Sequence, residues 1–491
     1  MNKSVLYNKE LPAGWLTALL SEISEINMGQ SPPSETYNNK GNGLPFFQGK
    51  AEFTALHPVV EKWCSRPNKI AETNDILLSV RAPVGTTNIA NQRCCIGRGL
   101  AAIRYTPNHK FLFYYFRLIE RKLDEKGTGT TFKAISCEVL RNINVNVPPL
   151  PEQHAIVSKI EQPFSELDKG IESLKTAQQQ LKVYRQSVLK WAFEGKLTEQ
   201  WRQNLDLPDV QDLLEMMQKE GEEKAKASGK KLKQVAPLTT EELAALPALQ
   251  KGWAWVRLGE LSIGVEYGSA AKSKEAGKVP VLRMGNIQNG RFDWQNLVYS
   301  DNDAEIKKYL LKKNDVLFNR TNSPELVGKT AIYKGERPAI FAGYLIRINY
   351  LPTIVDADYL NYFLNSHFAK TYGSSVKTDG VNQSNINGER LKGYPFPICS
   401  LPEQHQIVQE IESRLSECDN MEGTIVASLQ QAEALRQSIL KKAFEGRFLN
   451  DKELEAVRKD PTWEPAERLL ERIRTERAVL HSGKKGRKSK A

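Results

Sequence analysis

The chain has 491 residues, 40% hydrophobic and 26% charged, with a formal net charge of +11. That length exceeds one ordinary core, so two or more domains are expected. No apolar run could span a bilayer, the N-terminus lacks the apolar stretch of a secretory signal, and six scattered cysteines without a CxxC spacing exclude a disulfide framework or structural zinc. A reducing cytoplasm and no membrane are therefore expected, and the excess of positive charge suits a polyanion, nucleic acid first.

In chain order, residues 1–148 read as a first globular domain. Gly14-Trp15 opens it, Gln30–Leu44 is a loop rich in Gly, Pro and Asn, and the β-branched runs Asp75–Val80 and Gly99–Tyr105 are predicted strands. An aromatic amphipathic helix is predicted over about His109–Asp124, and a polar loop, Lys126-Gly127-Thr128-Gly129-Thr130-Thr131-Phe132-Lys133, follows it. Residues 149–197 read as a long helix with Pro151 in its first turn and a stripe at 3/4 spacing: Ile160, Phe164, Leu167, Ile171, Leu174, Leu181 and Val188. Such a stripe is a coiled-coil seam. Pro163 has no N–H for the carbonyl of Lys159, so a kink or restart is expected there. Residues 198–247 read as a linker.

The pattern then repeats. Residues 248–398 form a second globular domain with strands predicted over Asp315–Thr321 and Tyr344–Tyr350, a loop over Thr321–Gly328 and an aromatic helix over about Asp356–Thr371. Residues 399–448 form the second long helix, and 449–491 a basic tail whose Lys484, Lys485, Arg487, Lys488 and Lys490 suggest a disordered, solubilising end. Leu150-Pro151-Glu152-Gln153-His154 returns as Leu401-Pro402-Glu403-Gln404-His405, and Ala192-Phe193-Glu194-Gly195 as Ala443-Phe444-Glu445-Gly446, both 251 positions later. One inserted residue would rotate the rest of a helix by about 100°, so an unbroken offset marks a spacer with a fixed contact face. In the globular part the offset drifts, from 238 at Gly14-Trp15/Gly252-Trp253 to 240 at Asn74-Asp75/Asn314-Asp315. It reaches 251 by Lys126 and Lys377.

Catalytic signatures are missing. Gly328-Lys329-Thr330 resembles the end of a phosphate loop, but Ser323 stands where its upstream glycine belongs. No GxGxxG follows a strand. His57, His109, His154, His367, His405 and His481 are dispersed, and the repeated pair His154 and His405 suits a structural place at a helix start. No catalytic or metal-binding residue is assigned and no cofactor is expected on the chain, which reads as a binding protein.

The tandem arrangement, with Pro-Leu-Pro-Glu-Gln opening each helix, Ala-Phe-Glu-Gly closing it and Gly195-Lys196-Leu197-Thr198-Glu199-Gln200-Trp201-Arg202 following the first, resembles the specificity subunit of Type I restriction–modification enzymes over nearly the whole chain. The resemblance implies an α+β fold of two strand-rich target recognition domains, each followed by a long helix. The helices would form an antiparallel coiled coil with pseudo-twofold symmetry. It further implies a non-catalytic subunit in a bacterial or archaeal cytoplasm, reading a bipartite double-stranded DNA target. Its partners would be two methyltransferase subunits that bind S-adenosylmethionine and motor/nuclease subunits that use ATP and Mg. The missing Asn-Pro-Pro-aromatic motif agrees with that division of labour. The alternatives are the recognition subunit of a related restriction system and a two-armed coiled-coil scaffold that binds no DNA.

Base reading needs bidentate donors, and phosphate contact needs cations and hydroxyls. Two loop families offer them. In the first domain these are Arg81 and the Lys126, Thr128, Thr130, Thr131 and Lys133 loop. In the second they are Arg320 and Asn322, with Lys377, Asn382, Gln383, Ser384 and Asn385. Gln48, Lys50, Arg283 and Asn286 are weaker candidates, while Arg98 and Arg347 lie near strands and suit structural roles.

Overall fold

The computed structural model describes residues 11–129, 133–203, 205, 207–208, 210–228, 235–381 and 383–488. Two compact units emerge, and the first is assembled from both ends of the chain: residues 1–174 with 426–491, and 175–425.

In the first unit the strand Ile76–Ser79 is buried throughout and pairs antiparallel with Leu100–Arg104, Ile76 opposite Ile103. Glu25–Met28 and Thr87–Ile89 complete a four-stranded sheet on either side. The turn into Ile76–Ser79 explains the repeated Asn-Asp pair. Asn74 adopts φ 70°, a left-handed conformation that asparagine tolerates. Asp75 then accepts from the Glu72 amide and holds Arg104 through two bonds of 2.8 Å. Against this sheet lies the helix His109–Glu125, its N-terminus capped by the Asn108 side chain, with Phe111, Leu112, Phe113, Phe116, Ile119 and Leu123 buried.

The second unit repeats this build. Val316–Asn319 pairs with Leu345–Tyr350 and Thr330–Ile332, and Ser262–Tyr267 flanks the far edge. Asn314 adopts φ 71°, and Asp315 and Glu266 bracket Arg347, whose side chain is 12% exposed. The expected structural role of Arg347 is thus observed, as the counterpart of Arg104 between Asp75 and Glu25. One expected element divides: the aromatic helix becomes Ala357–Leu364 and His367–Val376. Asn365 turns its amide to the Thr330 carbonyl at 2.9 Å, and Ser366 caps the second helix by accepting from the Ala369 amide. Both side chains favour a break over continuation.

The long helices run over Leu150–Phe193 and Leu401–Phe444, 44 residues each. No restart occurs at Pro163. The ring forfeits one backbone hydrogen bond, but Ile160 and Phe164 on either side are buried in the first unit's core and hold the helix through it. That core takes Ile156, Ile160 and Phe164 together with Leu440, Ala443 and Phe444; the second takes Val188, Leu189 and Phe193 together with Ile407, Val408 and Ile411. Within the first unit Arg436 pairs with Asp168, and Lys159 donates to the Phe448 carbonyl at 2.8 Å. Within the second, Arg185 pairs with Asp419 and, at 3.0 Å, with Glu422.

Neither connecting segment is unstructured where described. The stretch read as a linker contains helices Glu199–Arg202, Val210–Ser228 and Thr240–Ala245. The stretch read as a tail contains Asp451–Arg458 and Ala466–Lys488, and Ala466, Leu469 and Ile473 are buried in the first unit's core. The physical reason is amphipathicity: apolar residues at helical spacing bury against a domain, which a charge count at the far end does not reveal.

Candidate nucleic-acid interface

The repeated helix start is a buried anchor. Glu152 is fully buried and accepts from the indole nitrogens of Trp15 at 2.8 Å and Trp463 at 3.1 Å. Glu403, 2% exposed, accepts from Thr198 at 2.8 Å and from Arg202. A carboxylate in the first turn faces the positive end of the helix dipole, and hydrogen bonds offset the cost of its burial. Gln153 bonds Tyr105 and the Pro148 carbonyl, both at 3.0 Å. Gln404 bonds the Asp356 amide at 2.9 Å and the Ile354 and Cys399 carbonyls at 2.8 and 2.9 Å. His154 and His405 take the structural place expected of them, beside Asn108 at 3.3 Å and Asp356 at 3.6 Å, the residues that cap the aromatic helices.

This frame carries the candidate loops, and in both units the backbone brings the two loop families together. In the first unit Arg81 and Thr128 each bridge to Ala134, and the Ala82 amide bonds the Lys133 carbonyl at 2.9 Å. In the second, Thr321 and Asn322 pair with Asn385 and Ser384, which pair in turn with Thr378 and Asp379. Segments more than fifty residues apart in sequence thus become neighbours, through isolated bridges in the first unit and short paired strands in the second.

The side chains differ in availability. Arg81, Lys126 and Thr128 are exposed. Lys133 is exposed but pairs with Asp124 at 2.9 Å, and the hydrogen bond from Lys133 is the main cause holding the Asp124 carboxyl below its ordinary range. Arg320 stacks on the Tyr267 ring at 4.9 Å, and among the described residues it has no carboxylate partner and its Nε is buried without an acceptor. Gln383 is exposed. Asn385 is half-buried and donates to Thr321 at 2.9 Å, Asn322 accepts from the Ser323 amide at 2.8 Å, and Lys377 pairs with Asp379 at 3.2 Å. Ser384 is a correction: it is fully buried and donates to Asp379, so its hydroxyl does not face a partner. Thr130, Thr131 and Asn382 lie outside the described residues.

Among the weaker candidates, Gln48 and Lys50 are not buried, whereas Asn286 is 4% exposed and bound to the Arg283 amide and the Asp293 carbonyl. Arg283 donates to the Asn296 carbonyl, and Arg98 is exposed rather than built into a strand. Sequence reasoning missed Tyr267, Tyr344 and Val381, exposed at 40%, 47% and 101% beside or within these loops. Only Val381 carried a signal, as an apolar residue inside an otherwise polar glycine turn. Among the described residues no cluster of His, Cys, Asp and Glu could hold a metal ion, and no helix is long and apolar enough to cross a membrane.

Comparison with known proteins gives a family match over residues 12–182 and 250–431 to the Type I restriction modification DNA specificity domain. The Type I restriction enzyme StySPI specificity subunit of Salmonella potsdam is 26% identical over 98% of this chain and 99% of its own length. A putative type I restriction enzyme MjaX specificity subunit of Methanocaldococcus jannaschii is 39% identical, over 38% of this chain and 44% of its own length, so the chain spans less than half of that relative. The crystal structure of the HsdS subunit from Thermoanaerobacter tengcongensis is 48% identical over 33% of this chain and 40% of that one, with a TM-score of 0.31.

Proposed function

Because the chain belongs to the Type I restriction modification DNA specificity family, we propose that it is the non-catalytic recognition subunit of a Type I restriction–modification complex. Residues 1–148 and 248–398 are the two target recognition domains, each reading one half of a split duplex site. The observation that carries this reading is the pairing of the two loop families in each unit, at Arg81 and Thr128 with Ala134 and at Thr321–Asn322 with Ser384–Asn385. Loops held by a backbone ladder present polar groups at fixed spacing, as base-edge hydrogen bonding requires. Arg320, stacked on Tyr267 and without a carboxylate partner among the described residues, is the donor best placed to take guanine O6 and N7 or a phosphate. The net charge of +11 favours the phosphate backbone.

The long helices act as the spacer, an antiparallel coiled coil with pseudo-twofold symmetry. Asp168–Arg436 in the first unit and Arg185–Asp419 in the second join the two helices. Lys159 with Phe448 and Glu403 with Arg202 join each helix start to the segment just past the other helix's end, which supports that direction. Removing one helical turn would shorten a spacer by about 5.4 Å, more than one base-pair step of about 3.4 Å, which explains an unbroken repeat. The chain docks two methyltransferase subunits that bring S-adenosylmethionine, and motor/nuclease subunits that bring ATP and Mg, in the cytoplasm.

The test uses the chain assembled with its methyltransferase partner. The chain alone should not methylate DNA. In the complex, Arg320→Ala should weaken target binding by about 5- to 150-fold, the worth of one bidentate base contact, and relax preference in one half-site only. Methylation by the isolated chain, or wild-type target choice by the variant, would overturn the assignment.

A further inference from the structure

The loop of the second unit ends in an aliphatic side chain that the fold does not use. Val381 is fully exposed, at 101%. The turn that carries it is closed by a 2.7 Å bond from the Gly380 amide to the Gln383 carbonyl. Below the turn, Ser384 donates to Asp379, and Asp379 also pairs with Lys377 at 3.2 Å. The strand under it is joined to Thr321 and Asn322. A valine held out on a braced turn contributes nothing to folding, and its two methyl groups can only meet an external surface. Exposed single hydrophobics are common; this one sits at the tip of an element whose neighbours are candidate base readers.

We infer that Val381 is a specificity-determining residue that packs against the C5-methyl group of one thymine in the major groove. The inference rests on the DNA-recognition reading above and adds to it the base type that this position takes. An aliphatic side chain cannot donate to a phosphate or a base edge. The thymine methyl is the apolar group that the major groove presents. The Ile386 amide bonds the Arg320 carbonyl, so Arg320 lies across from Ile386 in the ladder. Val381 is five residues farther along, or at most about 16 Å at 3.3 Å per residue. That distance equals up to about five base-pair steps, so Arg320 and Val381 would read different positions of one half-site.

The experiment uses the full chain in its methyltransferase complex and target duplexes in which each thymine in turn is replaced by deoxyuridine, which lacks only the methyl group. Wild type should bind one such duplex about three- to tenfold more weakly than the parent, the scale expected for burying one small apolar group. Val381→Ala should lose that thymine preference while keeping the preference that depends on Arg320, and Val381→Ile should retain it. The substitution touches no packed neighbour, so misfolding does not blur the result. Equal thymine-to-deoxyuridine ratios for wild type and Val381→Ala at every position, with target binding intact, would overturn the inference alone. A complex with no sequence preference on any duplex would overturn the recognition reading beneath it.

Discussion

Glu152 and Glu403 occupy the same place in the two copies of the repeat, both buried and both in the first turn of a 44-residue helix. Their partners are unalike. Glu152 is held by two neutral indoles, from Trp15 and Trp463, with the Arg458 guanidinium at 3.9 Å. Glu403 is held by the Arg202 guanidinium and the Thr198 hydroxyl, while among the described residues Trp253, the counterpart of Trp15, leaves its indole nitrogen without a partner. The duplication kept the need, a buried carboxylate that must be hydrogen-bonded, and not the chemistry that meets it. In both units covering residues come from the segment that follows a long helix, 198–202 after the first and 458–463 after the second, with Trp15 added over Glu152. Those segments are therefore part of the domains they cover.

The comparison can be broken at either copy. Arg202→Ala should have the largest effect, because it strands a carboxylate 2% exposed without its cation. A loss of about 3–5 kcal/mol from the second unit is expected, read by urea unfolding with a probe in that unit, and a loss under 1 kcal/mol would contradict the account. Trp463→Phe should cost the first unit less, about 1.5–3 kcal/mol, since one hydrogen bond to a charged acceptor goes while Trp15 and Arg458 remain. Equal losses at the two sites would erase the distinction between them.

The smallest effect concerns the loops, where the two units should behave alike. Asp124, bonded chiefly by Lys133, and Asp379, bonded chiefly by Ser384 and next by Lys377, are both lowered from 3.8. A depressed folded value means the carboxylate contributes to loop order above the ordinary aspartate value, and that contribution is lost as pH falls through the lower folded one. Hydrogen-exchange protection at Thr128 and Gly380 should therefore decline together on acidification below that range. Decline at one amide alone would separate the two loops.

Much of this was legible in the sequence, where the evidence is local or repeated. The aromatic helix His109–Glu125, the strands around Asp75 and Asp315 and the two long helices follow from periodicity and from the constant offset. What stayed hidden depends on distant partners. Asn74-Asp75 marks a strand, but that Asp75 binds Arg104 emerges only when the strands pair. The break at Asn365-Ser366 depends on the Thr330 carbonyl, 35 residues away. The segment 449–473 looked like a tail because its charges are conspicuous, while its few apolar residues gain meaning only against the first unit's core. Among the loop residues, type alone did not separate the buried Ser384 from the exposed Gln383, since alternation along a strand decides which faces outward.

The central claim, two independent readers on one frame, is tested most directly by exchanging residues 14–145 for the corresponding domain of another family member and sequencing the methylome of cells that carry the complex. The account predicts a bipartite target with one half changed, the other half kept and the spacing between them kept. A target altered in both halves, or in its spacing, would contradict it.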